Sequence, residues 1–260
     1  MLRRRTTALL LAHTTLVRSL SLGVAPRASL SPFMTEAAVR RVLVPVADDS
    51  EEIETACITD TLVRAGAEVV VASVMPSLQV RMSRGLKVVA DCSIEECKGQ
   101  DWDAIACPGG MPGAERLRDS ATLTELLKSQ AAAGKLTTSV CAAPAIIFAT
   151  HGILPSKATC CALRPPPQRR TMRPPGLVLT QMPCQPPNCP IVRLADPAPA
   201  FKEAVQASSS WEDSTVVVEG NIITSQGPGT SLQFALKMVE ALYGEEKAKE
   251  IASQMLTTVA

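Results

Sequence analysis

The alternation of short apolar runs with helical periodicity is the feature that most limits the folds open to this chain. From Arg40 onward, mostly apolar runs of five or six residues alternate with segments whose apolar residues recur every three or four positions. Strands are predicted at 42–46, 69–74, 103–107 and 136–140, and helices at 51–65, 121–133, 142–150, 231–243 and 245–256. Alternating strands and helices form βαβ units, whose parallel strands need helices on both faces. The sequence therefore predicts an α/β protein with a mostly parallel sheet.

Shorter apolar runs in two places predict hairpins. Each pair is split by a turn signal, Arg84-Gly85 in the first and Glu219-Gly220-Asn221 in the second. The paired segments are 80–82 with 86–89, and 215–218 with 222–224.

Hydrophobic residues make up 46% of the chain but aromatic residues only 3%, so aliphatic side chains must fill the core.

The net charge of +1 is the sum of three unlike parts. Residues 1–35 contain five Arg and no acid, and residues 161–197 contain ten of the 20 prolines and five Arg against one Asp. The other 188 residues (260 − 35 − 37) carry a net charge of −8 (1 − 5 − 4). A net charge this close to zero argues against a nucleic-acid surface spread over the whole chain. No apolar run approaches the roughly 18 residues that a membrane-spanning helix needs.

The first 37 residues predict a transit peptide or a disordered tail. They are rich in Arg, Ser, Thr and Leu, and Glu36 is the first acidic residue. This composition is typical of chloroplast and mitochondrial targeting segments, whereas the apolar run at 8–13 is too short for a secretory signal. Met34 offers an internal start that would give a cytosolic form.

Nine cysteines in a chain without a secretory signal predict reduced thiols. There is no Cys-x-x-Cys pair and there are only two histidines, His13 and His151, so a zinc site is not expected. His151 lies at a predicted helix end, where a capping or surface role is expected. No cofactor is predicted.

Cys141 stands out among the cysteines because a predicted strand enters a helix through it, in Val140-Cys141-Ala142. Such a turn lifts a side chain above the sheet, and a helix N-terminus favours a thiolate. A buried small hydrophobic side chain is the alternative at this position, as for most free cysteines.

Two further segments follow predicted strands. Ser50-Glu51-Glu52 is expected to be an acid-rich helix start whose two carboxylates are solvated, whereas Glu54 would point inward over the sheet. The segment 107–113 is rich in glycine and proline, so its backbone can approach a neighbouring site and offer N–H groups to an oxyanion. All three segments follow strands, where α/β proteins place their sites.

Together these motifs resemble the DJ-1/PfpI (ThiJ) superfamily, and in particular its plant and algal branch. The matching residues are Ser50-Glu51-Glu52-Ile53-Glu54-Thr55, Pro108-Gly109-Gly110, Val140-Cys141-Ala142-Ala143-Pro144 and Ser225-Gln226-Gly227-Pro228-Gly229-Thr230. The resemblance covers about 40–160 and 198–258. It implies a flavodoxin-like three-layer sandwich with a nucleophile-elbow cysteine, a single domain over 38–258, and a homodimer.

The resemblance also implies roles for individual residues. Cys141 would be the nucleophile, with a low pKa supported by a partly buried, protonated Glu54. Gly110 and Ala142 would supply the backbone amides of an oxyanion site. Gly109 would support the site, and Arg84 would reach the site of the partner subunit.

Two functions follow from the resemblance. The first is a metal-free glyoxalase or deglycase that acts on methylglyoxal and related dicarbonyls: the Cys141 thiolate adds to the aldehyde and Glu54 moves a proton between the two carbons. The second is a non-enzymatic redox sensor or chaperone that responds through oxidation of Cys141.

The chain departs from the family at an expected histidine. The family segment Ala-Thr-x-His-Pro begins here at Ala158-Thr159-Cys160 and resumes near 198–201, which places Ala198 at the histidine position. The intervening insert, 161–197, is open to three interpretations: an interaction loop, a solvated loop without function, or retained intron sequence. It would bring Cys161, Cys184 and Cys189 near the site.

Overall fold

Eleven strands and seven helices are found in the computed structural model, which describes residues 39–161 and 199–259. The strands are β1 (Arg41–Val46), β2 (Glu68–Ser73), β3 (Gln79–Arg81), β4 (Lys87–Val89), β5 (Cys92–Ser93), β6 (Ala104–Cys107), β7 (Leu136–Val140), β8 (Lys157–Ala158), β9 (Ser210–Trp211), β10 (Val216–Glu219) and β11 (Ile222–Ser225). The helices are α1 (Glu52–Ala65), α2 (Gly113–Asp119), α3 (Ala121–Ala132), α4 (Ala149–His151), α5 (Pro199–Gln206), α6 (Ser231–Tyr243) and α7 (Glu245–Gln254). The predicted presequence and all but the first residue of the insert lie outside the described residues.

Seven strands form the central sheet, in the order β10-β11-β7-β6-β1-β2-β5. Every neighbouring pair is parallel except β10 with β11, which forms the predicted hairpin. The other predicted hairpin is the antiparallel pair β3–β4, and β8 pairs with β9 in a separate two-stranded sheet. The predicted mostly parallel sheet is confirmed.

Helices cover both faces of this sheet. Val42, Val44 and Val46 of β1 belong to one buried cluster, which they share with residues of α1, α6 and α7. Leu43 belongs to a second cluster, on the opposite face, with residues of α2 and α3. Because side chains alternate along a strand, these two clusters bury both faces of β1, as expected for a strand between two helical layers. This is the predicted flavodoxin-like three-layer sandwich.

Several elements differ from the sequence prediction. The segment 142–150 is not a continuous α-helix: Pro144–Phe148 forms a π-helical turn before the short α4. Helix α2 was not predicted, because it begins at Gly113 within a run of glycine and proline that is typical of a loop. The two-residue strands β5, β8 and β9 were also missed, because elements this short show no periodicity. No helix was predicted at α5, which begins with a proline next to the proline-rich insert.

The topology brings the candidate segments to one place. From β1 the chain passes to β2 on one side and later returns to β6 on the other, so the connections diverge between β1 and β6. In parallel sheets such a divergence opens a crevice at the carboxyl ends of the strands. The loop after β1, the loop after β6 and the turn after β7 all lie at this edge.

Gly113 packs directly against the loop after β1, so a substitution there measures how tightly the loops pack. A Cβ at this position would lie 2.4 Å from the Ser50 backbone N and 2.5 Å from the Asp49 carbonyl carbon, whereas a Cβ at Gly229 would meet nothing within 4 Å. We expect Gly113→Ala to lower the free energy of unfolding by about 1–3 kcal/mol through overpacking, and Gly229→Ala to have little effect. Urea unfolding of both variants measures this, and equal stabilities would contradict the packing described.

Candidate active site

Cys141 forms a strained turn at the end of β7. Its φ of 62° lies in the left-handed region, which costs a non-glycine residue about 1–3 kcal/mol. Two backbone hydrogen bonds hold the turn: Cys141 N–H donates to the Ser225 carbonyl at 3.0 Å, and the Cys141 carbonyl accepts from Cys161 N–H at 2.9 Å. The structure thus places Cys141 at the predicted elbow.

Glycine allows the loop after β6 to touch this elbow. A Cβ at Gly109 would lie 2.7 Å from the Cys141 Cβ and 2.9 Å from the Ala142 backbone N. No side chain fits there, so the backbone of the loop forms one wall of the site. On another side, a Cβ at Gly227 would lie 3.8 Å from the Cys141 Sγ.

Glu54 projects from the first turn of α1 into the same place. Its side chain is fully buried, and its Oε2 accepts a hydrogen bond from Gly109 N–H at 2.7 Å. Oε1 is buried without a hydrogen-bond partner among the described residues, and Cys141 is the side chain that interacts with this carboxyl. The predicted inward orientation of Glu54 is therefore correct.

The Glu54 carboxyl is neutral at physiological pH. Burial, together with the negative charge of the Cys141 thiolate, raises its pKa from 4.5 to about 10, although the Gly109 N–H acts in the opposite direction. A protonated carboxyl has one O–H to donate. With Oε2 occupied by Gly109, a proton on Oε1 can be directed at the sulfur of Cys141.

Glu51 differs from the sequence expectation of a solvated carboxylate. It is only 6% exposed, and its Oε2 accepts from Glu54 N–H at 2.8 Å, which caps α1. Sequence reasoning missed this because an acidic residue at a helix start is usually exposed. The cap fixes the first turn of α1 and, with it, the backbone of Glu54.

The pKa of Cys141 is raised, which is opposite to the low value that the resemblance implied. The main cause is the side chain of Cys161, followed by burial and then by the negative charge of Cys161. Glu54 and the Gly110 N–H act in the other direction by hydrogen bonding.

The predicted oxyanion residues, Gly110 and Ala142, both lie at Cys141. The Gly110 N–H lies close enough to the Cys141 thiol to lower its pKa, and Ala142 follows Cys141 directly with its side chain buried. Gly110 has a φ of 89°, and a Cβ there would lie 2.4 Å from the Asp49 carbonyl oxygen. Both its conformation and its surroundings therefore require glycine.

Arg84 lies on the turn between β3 and β4, outside the site of its own chain. Its backbone N–H donates to Glu52 Oε1 at 2.7 Å, and the Ser83 hydroxyl donates to Glu52 Oε2 at 2.7 Å, so the hairpin is tied to the start of α1. Among the described residues, the hydrogen bond of its guanidinium goes to the Ser83 carbonyl. Contact with a partner's site stays a prediction.

The sequence predicted Cys161 near the site as part of the insert, but not as the direct neighbour of Cys141. Ala198, which was assigned to the histidine position, lies outside the described residues, whereas Cys161 lies beside Cys141. The available signal was simple: Cys161 directly follows Ala158-Thr159-Cys160, where the family segment has its histidine. Counting without a gap would have found it.

His151 has a structural role, as expected. Its Nε2 lies 3.0 Å from the Arg118 carbonyl oxygen and 3.2 Å from the Thr124 hydroxyl, so it joins the end of α4 to α2 and α3. In residues 39–161 and 199–259 no three His, Cys, Asp or Glu side chains are grouped so that they could hold a metal ion.

The effect of Cys161 on Cys141 can be measured directly. We expect Cys161→Ala to lower the pKa of Cys141, because it removes the largest influence that raises it. Iodoacetamide labelling of Cys141, followed by peptide mass spectrometry across pH 6–10, should show faster labelling at neutral pH in this variant. Cys160→Ala is the matched control, since Cys160 is buried in a separate apolar cluster and is not among the main causes of the raised Cys141 pKa. A profile unchanged by Cys161→Ala would contradict the interaction.

Known proteins resemble this chain in sequence and in fold. Residues 40–167 and 197–241 match the model of the DJ-1/PfpI family. Protein DJ-1 homolog B of Arabidopsis thaliana is 38% identical over 216 residues, which are 83% of this chain but 41% of that protein. The chain thus spans about two fifths of the length of this relative.

Two other relatives match over nearly their whole length. The Caenorhabditis elegans protein named glutathione-independent glyoxalase DJR-1.2 is 30% identical over 81% of this chain and 91% of its own. The structure of oxidized Toxoplasma gondii DJ-1 is 42% identical, with a TM-score of 0.68, and the match covers 85% of this chain and all of that one. Motifs, fold and relatives agree, and this chain belongs to the DJ-1/PfpI family.

Proposed function

We propose that this protein is a glutathione-independent glyoxalase that converts methylglyoxal and related dicarbonyls into hydroxy acids, with deglycase activity from the same site. The observation that carries this proposal is the buried, neutral Glu54 next to the Cys141 thiol. The name of the C. elegans relative supports the same chemistry. A carboxyl with a pKa of about 10 can hold a proton at neutral pH and move it over a short distance.

The chemistry begins at the sulfur. The Cys141 thiolate adds to the aldehyde carbon of methylglyoxal, and the backbone N–H groups of Gly110 and Ala142 stabilise the alkoxide that forms. The alkoxide takes its proton from Glu54, which leaves Glu54 ionised. This gives a hemithioacetal.

Glu54 then moves hydrogen between the two former carbonyl carbons. Its ionised form removes the proton from the carbon bonded to sulfur, and its protonated form returns it to the neighbouring carbon through an enediol. The product is a thioester of lactate, which water hydrolyses to lactate and free Cys141. No step changes the net oxidation state, so no redox cofactor takes part.

The raised pKa of Cys141 determines the pH dependence of this reaction. Because the thiolate is the nucleophile, its population increases with pH below the pKa of Cys141. Glu54 stays protonated up to about pH 10. Turnover should therefore rise between pH 7 and pH 9.

Purified protein incubated with methylglyoxal without glutathione tests the proposal, with D- and L-lactate measured enzymatically. We expect Cys141→Ser to reduce turnover to background and Glu54→Gln to reduce it about 10²–10⁴-fold. Cys92→Ser is the control, because Cys92 lies on β5 at the far edge of the sheet. Equal rates for the wild type and Cys141→Ser would overturn the proposal.

A redox sensor or chaperone that acts through Cys141 oxidation is the second candidate. It is favoured by the protonated Glu54, which can hydrogen-bond an oxygen added to the sulfur, and by the T. gondii relative, whose structure is of an oxidized form. Oxidation of Cys141 by mild peroxide, without methylglyoxal turnover, would support this candidate over the first.

We also propose a homodimer in a chloroplast or mitochondrion. Exposed apolar side chains on α1 and on the β3–β4 hairpin support self-association: Ile53 is 52% exposed, Leu86 55% and Val89 68%. The basic, acid-free composition of residues 1–35 supports targeting, and Met34 supports a second, cytosolic form. No helix of the described residues is long and apolar enough to cross a membrane.

A further inference from the structure

The segment that contains Cys161 is fixed beside the elbow by hydrogen bonds. Thr159 N–H donates to the Thr224 hydroxyl of β11 at 3.0 Å, and Cys161 N–H donates to the Cys141 carbonyl at 2.9 Å. The second of these bonds brings the main chains of the two cysteines into direct contact, and a disulfide requires such closeness, with Cα atoms about 4.4–6.8 Å apart.

The adjacent residues Cys160 and Cys161 point into different surroundings. Cys160 is fully buried in a small apolar cluster with Ala145 and Val205. Cys161 is half-buried and interacts with the side chain of Cys141, which is itself half-buried. Alternation along an extended chain explains why consecutive residues face different surroundings. Of the two thiols, Cys161 is therefore the partner available to Cys141.

We propose that Cys141 and Cys161 form a reversible disulfide, in which Cys161 resolves the sulfenic acid of Cys141, and that this pair gives the protein a thiol-dependent hydroperoxide-reducing activity. The proposal rests on Cys141 being the reactive thiol of the proposed function, but not on dicarbonyl turnover.

The reaction balances in three steps. The Cys141 thiolate attacks the distal oxygen of a hydroperoxide, the O–O bond breaks, and the departing oxygen takes a proton from solvent; the products are Cys141 sulfenic acid and an alcohol, or water from hydrogen peroxide. The Cys161 sulfur then attacks the Cys141 sulfur, an S–S bond forms, and the sulfenic hydroxyl leaves as water. An external thiol or dithiol reduces the disulfide and restores both cysteines.

Glu54 has a place in the second step. Its protonated carboxyl interacts with the Cys141 side chain and can donate the proton that the departing hydroxyl needs. Resolution by Cys161 also competes with a second oxidation, because the disulfide removes the sulfenic acid before another hydroperoxide reaches it. Loss of Cys161 should therefore redirect Cys141 to the sulfinic acid.

Cys92 and Cys97 form another close thiol pair, with their sulfurs 3.6 Å apart. Any measurement of oxidation must separate the two pairs. Trypsin does so, since Cys92 and Cys97 share the peptide 88–98, whereas Cys141 lies in the peptide 136–157 and Cys161 in the peptide that begins at Ala158.

Reduced full-length protein treated with a few equivalents of hydrogen peroxide, blocked with N-ethylmaleimide and digested without reductant provides the test. We expect a cross-link between the peptide 136–157 and the peptide that begins at Ala158, which dithiothreitol reverses. In Cys161→Ser the cross-link should disappear and Cys141 should gain two oxygens, whereas in the wild type less than about a tenth should do so. Cys160→Ala should retain the cross-link.

Steady-state consumption of hydrogen peroxide with dithiothreitol should continue in the wild type and decline in Cys161→Ser as Cys141 becomes overoxidised. The proposal is overturned if wild-type Cys141 takes up two oxygens without a cross-link, if it does not react, or if the cross-link requires Cys160. Methylglyoxal turnover with no cross-link would reject this inference alone. A cross-link with no turnover would reject only the glyoxalase. Thermal unfolding of each variant shows whether it is folded.

Discussion

The buried carboxyl of Glu54 is the constraint on which the rest of the site depends. It lies on α1, accepts a hydrogen bond from Gly109 in the loop after β6, and interacts with Cys141 after β7. This one group thus joins the start of α1, the loop after β6 and the turn after β7 at the carboxyl edge of the sheet. A charged carboxylate with no solvent would be costly there, so the group holds its proton. The packing that buries Glu54 between these segments therefore also keeps its carboxyl protonated, so that it can act as an acid.

The second constraint is the neighbouring thiol. Cys161 raises the pKa of Cys141, while Glu54 and Gly110 lower it. Two kinds of chemistry therefore compete for the Cys141 sulfur. The proposed dicarbonyl reaction needs its thiolate, whereas a second thiol beside it favours disulfide formation. A histidine at position 161, as in the family segment, would not provide that second thiol. We propose that this one residue adds disulfide chemistry to the reactions open to the Cys141 sulfur.

Much of the fold could be predicted from the sequence, because buried strands and amphipathic helices each have a period. Cys141 and Glu54 could be found because each follows a predicted strand closely, and parallel strands bring such residues together. Glu51 could not, since its burial depends on packing that α1 alone does not show. The direct pairing of Cys161 with Cys141 was not predicted because the family segment was aligned with a gap at the insert, although alignment without a gap places Cys161 at the histidine position. Helix α2 was missed because glycine and proline at its start are typical of loops.

Infrared spectroscopy in D₂O tests most directly whether Glu54 is neutral in the folded protein. At pH 8 exposed carboxyl groups, with pKa values of about 4, are ionised. The account predicts that the wild type retains a protonated-carboxyl band at pH 8, that this band fades only as the pH approaches the Glu54 pKa of about 10, and that Glu54→Gln lacks it. A wild-type spectrum with no such band at pH 8, or a band that persists in Glu54→Gln, would contradict the account.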